Sequence, residues 1–229
     1  MKVQVSNNID LEIVKFIQNN LVVALPTGNT PIGMYQELIK RSKQGLIDWR
    51  TVKIYMLDSY YPQNQNDPES FYTYIKQHLL SKIILPKENF NILNSEAIDP
   101  NKEGKDYDEK IKQEGGLDLA ILGIGENGHI GFNEPGSSVD SLTRLVQLSD
   151  VTKKINKIEF NQALTMGIQT IFQSKRVIVL AKGENKAEAV KQAIEGKQTV
   201  NCPASLLQNH PDISYYLDNE ASSRLSNHY

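Results

Sequence analysis

The stretch Leu21-Val22-Val23-Ala24-Leu25-Pro26-Thr27-Gly28-Asn29-Thr30-Pro31 sets the plan of the chain. Five consecutive apolar residues suit a strand buried on both faces, the habit of parallel sheets. A turn with one glycine follows, and Ile32, Tyr35, Leu38 and Ile39 then recur at helical spacing as far as Lys43. Thr30 is read as the N-cap of that helix and Pro31 as its first residue, where the missing N–H costs nothing. Gly45 is the stop signal.

The same alternation repeats outward from this unit. Val52, Ile54 and Met56 form a second strand that runs into Leu57 and Asp58. Asp67-Pro68-Glu69-Ser70 opens a helix through Ser81, and Phe90 to Leu93 is a short strand. Lys102 to Glu114 is a polar helix with Tyr107 and Ile111 on one face, and Leu117 to Leu122 is a strong strand. Gln162 to Phe172 is read as a helix and Arg176 to Leu180 as a strand. Asn185 to Glu195 is a helix ended by Gly196, Ser205 to Asn209 a helical turn, and Ile213 to Leu217 a last strand. Strands alternating with helices predict an α/β fold. The expected form is a three-layer, doubly wound, mostly parallel sheet of modified Rossmann type, as a single domain over residues 1–229.

The chain has 229 residues and a formal charge of −2. A charge this close to zero argues against nucleic-acid binding by a dense basic face and against a polybasic membrane anchor. The one cysteine, Cys202, rules out a disulfide framework or a Cys-based zinc cluster within the chain and fits a reducing compartment. The first residues lack the apolar core of a signal peptide, and no apolar run approaches the ~20 residues of a membrane span. A cytoplasmic enzyme of small molecules is the expectation, with no nucleic-acid or membrane partner.

In such sheets ligands bind beyond the carboxyl ends of the strands. The loops after Leu25, Leu57, Leu122 and Leu180 are therefore the places to look. In the first, Thr27, Gly28, Asn29 and Thr30 offer hydroxyls and free N–H groups at a helix start, which suits an anion. A plain capped turn fits the same residues. In the second, Asp58 at a strand end is either a shielded base or a strand-terminating aspartate. The third, Gly123 to Gly136, contains a G-x-G-x-x-G run at residues 123–128. A dinucleotide fingerprint must open a helix, and Gly131, Pro135 and Gly136 follow too closely for that. What remains is a glycine-rich loop carrying His129 and two carboxylates, Glu126 and Glu134. A hydrogen bond between His129 and Glu134 would raise the basicity of the imidazole. In the fourth, Lys182 to Ala187, Asn185 is read as a cap and Lys186 falls in the first helical turn, where a cation opposes the helix dipole unless an anion is near. His78, His210 and His228 lie in polar helical or terminal contexts and are read as surface residues.

Four segments together resemble the glucosamine-6-phosphate deaminases: Leu25 to Pro31, Leu57 to Tyr60, Gly123 to Gly136, and Ala163 to Ile171. The run Gly128-His129-Ile130-Gly131-Phe132-Asn133-Glu134-Pro135 is the most specific of them. Sister 6-phosphogluconolactonases typically carry a different sequence there. The resemblance implies a reaction without cofactor or metal, in which D-glucosamine 6-phosphate and water give D-fructose 6-phosphate and ammonium. It implies that Asp58 is the base that moves a proton between C2 and C1, and that His129 opens the pyranose ring. Asn127 and Glu134 would hold and tune that histidine, and Thr27, Gly28, Asn29, Thr30 and Lys186 would contact the sugar and its phosphate. A galactosamine-6-phosphate deaminase and a lactonase are neighbouring alternatives, and a non-catalytic sugar-phosphate sensor is one of another class.

Three departures from the family pattern stand out. Ser59 and Asn127 stand where many members carry Glu and Asp. The segment Asp150 to Phe160 is shorter than the family's lid and has no arginine, so Lys153, Lys154 or Lys157 is the expected substitute. Arg144 is retained without a basic partner at Val146, and no activation by N-acetylglucosamine 6-phosphate is expected. A monomer or small homo-oligomer is the expected state.

Overall fold

The computed structural model describes residues 1–226. His228 therefore lies outside the described residues. The strands, in chain order, are β1 (Lys2–Val5), β2 (Val22–Leu25), β3 (Lys53–Met56), β4 (Asp58–Tyr61), β5 (Phe90–Asn91), β6 (Leu119–Gly123), β7 (Arg144–Gln147), β8 (Gln162–Thr165), β9 (Arg176–Ala181) and β10 (Ile213–Leu217). The α-helices are α1 (Ile9–Ile13), α2 (Ile32–Lys43), α3 (Phe71–His78), α4 (Pro100–Gln113), α5 (Asp150–Asn156), α6 (Ile168–Phe172) and α7 (Ala187–Glu195).

Seven strands form one sheet in the order β1-β10-β9-β6-β2-β3-β5, paired in parallel throughout. Side chains alternate between its faces, and each face has its own core. Val23, Leu25, Ile54, Met56, Ile121 and Ile178 pack with α1, α2 and α3 on one side. Ala24, Tyr55, Leu122, Val177 and Val179 pack with α4, α6 and α7 on the other. This is the expected three-layer, doubly wound arrangement. The chain moves outward from β2 to β3 and β5, then returns to β6 on the opposite side of β2. That reversal creates a crevice between β2 and β6, where such folds place ligands.

A second sheet, antiparallel in the order β4-β8-β7, stands beside this crevice. Four sequence expectations are corrected, the first two by this sheet. The strand that begins at Val52 does not run on through Asp58: Asp58 starts β4, paired with Thr165 in the small sheet. Gln162 to Thr165 is not the beginning of a helix but β8, held between β4 and β7, and α6 starts only at Ile168. The helix after the first loop starts at Ile32 with Pro31 at the N-cap position, so Thr30 stays in the loop. His210 is likewise no surface residue. It is 2% exposed, and its Nε2 meets the Ser174 carbonyl at 2.8 Å.

Candidate active site

The four loops converge on one cavity of about 610 Å³ at the carboxyl end of the sheet. Thr27, Gly28, Asn29 and Thr30 after β2, Asp58 after β3, Gly125, Asn127 and His129 after β6, and Lys186 after β9 all line it. Glu134 stands behind Asn127 rather than on the wall.

Backbone geometry and two tyrosines shape the first loop. Gly28 takes φ +93°, a region that side-chain-bearing residues rarely adopt. The Tyr35 hydroxyl donates to the Pro26 carbonyl, and the Tyr74 hydroxyl to that of Gly28. With those carbonyls turned to the tyrosines, the hydroxyls of Thr27 and Thr30 are on residues that face the cavity.

Asp58 opens β4, so period-two alternation puts Asp58 and Tyr60 on the cavity side and Ser59 on the other. Ser59 is buried away from the reacting space. The Asp58 carboxyl is 6% exposed, and its Oδ1 has no hydrogen-bond partner among the described residues. Burial disfavours the charged form and raises its pKa to about 7. A carboxyl group in that state takes and returns protons near neutrality, as a general base should.

No helix opens at residues 123–128, as expected; the chain instead makes successive turns. The close packing of Gly125 fixes the histidine. A Cβ on Gly125 would lie 2.3 Å from Nδ1 of His129, so the imidazole lies flat against a bare Cα. His129 Nδ1 meets Asn127 Oδ1 at 2.8 Å, and Asn127 Nδ2 donates to Glu134 Oε2 at 2.8 Å. The expected direct bond between His129 and Glu134 is absent: Nδ1 is 3.7 Å from Oε2, and Asn127 bridges them. With the Asn127 amide committed to Glu134, its carbonyl oxygen faces the ring. Nδ1 then carries the hydrogen, and Nε2 is left as the proton acceptor. The net effect on basicity is also opposite to expectation. Burial lowers the His129 pKa from its usual value, the Glu134 charge only partly offsets this, and the Lys186 ammonium adds to the lowering.

Lys186 is half-buried at the head of α7 and not a freely solvated cation. Burial lowers its pKa, partly offset by the carboxylate of Glu126. Asn185 does not cap the helix through its side chain. Its Nδ2 donates to Glu126 Oε1 at 2.7 Å, tying the fourth loop to the third. The lysines expected to replace the lid arginine are elsewhere. Lys153 pairs with Asp150 at 2.8 Å, and from α5 the cavity receives Thr152 and Ile155. Among the described lining residues the cations are Lys182 and Lys186.

Sequence reasoning missed Lys182, Tyr60, Phe71 and Phe132, all on the cavity wall. Tyr60 stacks on Phe160 with centroids 5.1 Å apart and also contacts Phe71 and Phe132. These rings form a small core of their own under the antiparallel sheet. Lys182 had a signal available, since it immediately follows β9. The rings had none before β4 and β8 were known to pair. Arg144, which sequence left without a role, spans Asn133 Oδ1 at 3.0 Å and Ser137 Oγ at 3.3 Å, bracing the loop on both sides of Glu134.

Comparison with known proteins agrees with this geometry. The family model described as "Glucosamine-6-phosphate isomerases/6-phosphogluconolactonase" matches residues 2–215. A protein named glucosamine-6-phosphate deaminase from Clostridium botulinum (strain Kyoto / Type A2) is 45% identical over 212 residues, covering 90% of this chain and 87% of the relative. One of the same name from Alkaliphilus oremlandii is 44% identical, with 89% and 88% covered. A solved structure described as a monomeric glucosamine-6-phosphate deaminase superposes with a TM-score of 0.93 at 34% identity, covering 97% of this chain and 99% of its own. The 6-phosphogluconolactonase of Trypanosoma cruzi shares the fold, with a TM-score of 0.80 at 21% identity over 99% and 97% of the two chains.

Proposed function

The chain belongs to the glucosamine-6-phosphate isomerase/6-phosphogluconolactonase family, and within it we propose that this protein is a glucosamine-6-phosphate deaminase. It converts D-glucosamine 6-phosphate and water to D-fructose 6-phosphate and ammonium. The observation that carries this reading is a buried Asp58 carboxyl with a pKa of about 7 in the same cavity as a neutral His129 backed by Asn127 and Glu134.

The reaction proceeds as a series of proton transfers. His129 Nε2 accepts the proton of the anomeric hydroxyl and returns it to the ring oxygen, breaking the C1–O5 bond and giving the open aldehyde. With the C2 amino group entering as an ammonium, the Asp58 carboxylate takes the proton from C2, the electron pair moves through C1 to its oxygen, and the ammonium passes one proton to that oxygen, giving a neutral enolamine. Returning a proton to C1 leaves an iminium carbon at C2. Water adds there, and the resulting carbinolamine expels ammonia, which leaves as ammonium. Every proton removed is returned within the site, so the protein's own groups suffice. Thr27, Gly28, Asn29, Thr30 and Lys186 hold the sugar and its phosphate. Glu134 and Asn127 are positioning residues that act through the histidine.

We read residues 1–229 as one catalytic unit, cytoplasmic, acting as a monomer or small homo-oligomer without a nucleic-acid partner. The buried free Cys202 and the near-neutral charge support that reading. Among the described residues no helix is long and apolar enough to cross a membrane.

The test is stoichiometric release of ammonium and fructose 6-phosphate from glucosamine 6-phosphate, run beside galactosamine 6-phosphate and 6-phosphogluconolactone. Faster turnover of galactosamine 6-phosphate reassigns the substrate. Lactone hydrolysis without ammonium release overturns the reading, as does binding of the amino sugar without turnover.

A further inference from the structure

A phosphate monoester carries close to two negative charges at neutral pH, and one lysine leaves much of that charge unmatched. The cavity wall holds a second cation. Lys182 leaves the end of β9 and lines the cavity with Lys186, and its ammonium is 2.6 Å from Asp10 Oδ2. Asp10 belongs to α1, yet its carboxylate lies against α2. A Cβ on Gly33 would fall 2.2 Å from that same Oδ2. Gly33 is the second residue of α2, just past the Thr27–Thr30 loop. A bare Cα there lets the carboxylate settle on the first helical turn and brings the Lys182 ammonium beside the anion-binding loop.

We propose that Lys182, fastened by Asp10, is the second cation of the phosphate subsite. This rests on the deaminase reading given above. An ammonium has three donors, and Asp10 takes one of them. The remaining donors are on a side chain that is 30% exposed and borders the cavity. Lys186 follows Gly183 to Asn185 on the same strand-to-helix connection and stands near enough to His129 to lower its pKa. The two lysines thus divide the work: Lys186 lies toward the reacting end of the sugar, and Lys182 toward the head of α2. Thr27 and Thr30 complete the cradle.

The test uses the full chain and two readouts, calorimetric binding of inorganic phosphate and steady-state ammonium release. Lys182→Met should weaken phosphate binding and raise KM by about ten-fold or more, with kcat near the wild-type value. Lys182→Arg should restore most of both, and Lys182→Gln serves if the methionine variant does not fold. Lys153→Met, on α5, should change neither readout. Phosphate affinity and KM that ignore the loss of Lys182 overturn the proposal and leave Lys182–Asp10 as a structural ion pair. So does a loss caused equally by Lys153→Met, or a fall in kcat at constant KM. The two readings fail separately. Phosphate binding that depends on Lys182 in a protein that releases no ammonium refutes the deaminase reading alone. Normal turnover with phosphate binding indifferent to Lys182 refutes only this one.

Discussion

Glu134 reaches His129 through Asn127, with two 2.8 Å contacts spanning what would otherwise be a 3.7 Å gap. The amide fixes the tautomer, because its nitrogen is committed to the carboxylate and only its oxygen faces the ring. Asn127→Ala removes both contacts and strands a buried carboxylate. The expected result is a fall in kcat of about 10–100-fold with little change in KM, since an unsatisfied buried polar group costs roughly 1–3 kcal/mol. Glu134→Gln keeps an acceptor for Asn127 and removes the charge that holds the His129 pKa up. The imidazole should then titrate at a still lower pH, read directly by NMR of the ring protons. A histidine pKa that stays put or rises would separate Glu134 from the relay.

The pH profile should be governed by Asp58. Its base form is the carboxylate, and burial raises the pKa to about 7, so kcat/KM should climb through neutrality and level off above it. Burial shifts the His129 pKa downward, away from this limb, with the Glu134 charge partly opposing it. Asp58→Asn should remove the limb and lower kcat by about 10²–10⁴-fold. Retention of full activity in this variant would eliminate Asp58 as the base.

The same buried carboxyl makes a prediction about stability. In the unfolded chain Asp58 titrates near ~3.9, while in the folded chain it titrates near 7. The folded state therefore binds this proton more tightly, and its contribution to stability falls as pH rises from about 4 to about 7. The full span is at most roughly 4 kcal/mol. Asp58→Asn does not ionise, so it should gain on the wild type between pH 5 and pH 8 in denaturant melts. A constant difference between the two across that range contradicts the assigned burial cost.

Gly125 tests the packing of the histidine separately from its chemistry. Its φ is not in the left-handed region, so alanine is tolerated by the backbone. The new methyl would nonetheless strike the imidazole at 2.3 Å. Gly125→Ala should fold with a near-normal melting temperature and lose about 100-fold or more in kcat, the scale expected when a reacting group is displaced by ~1 Å. Equal loss of melting temperature and activity would show that the glycine serves the fold alone.

Gly104 in α4 offers a contrast away from the site. A Cβ there would lie 2.4 Å from the Thr143 carbonyl oxygen. Gly104→Ala improves helix propensity but overpacks this junction, so a net loss of about 1–3 kcal/mol is expected in denaturant melts. A stabilised variant would show that the helix and the strand edge are free to separate.

The main sheet was largely legible because its strands are uniformly apolar. Val22 to Leu25 and Leu119 to Leu122 have no polar residue to disguise them. The four loops could be found because a parallel sheet dictates where to look. The small sheet was not legible. Gln162-Ala163-Leu164-Thr165 is too short to show a period and is followed directly by helix-forming residues, so it reads as part of α6. It becomes a strand only because β4 and β7 flank it. Arg144 to Gln147 has the same difficulty, with no apolar face of its own. Asp58 was found as a candidate, but its place at the start of β4 was not, because the break after Met56 has no turn residue to mark it. The Asn127 bridge turns on about an ångström of spacing between His129 and Glu134, which no sequence pattern encodes. His210 looked polar and superficial because the Ser174 carbonyl that satisfies it is 36 residues away.

The antiparallel sheet carries a consequence for how this architecture varies. The segment holding α5 is clasped at both ends by the Gln147↔Gln162 pair, and the ladder behind it ends at Asp58↔Thr165. Residues 148–161 thus hang from a closed buckle. Phe160 in this segment also stacks on Tyr60, two residues beyond Asp58 in β4, and Leu148 and Ile158 join the same small core. The cover over the crevice is thus tied twice to the strand that carries Asp58, through the ladder and through these rings, and any variation in it that spares the site has to keep both ties.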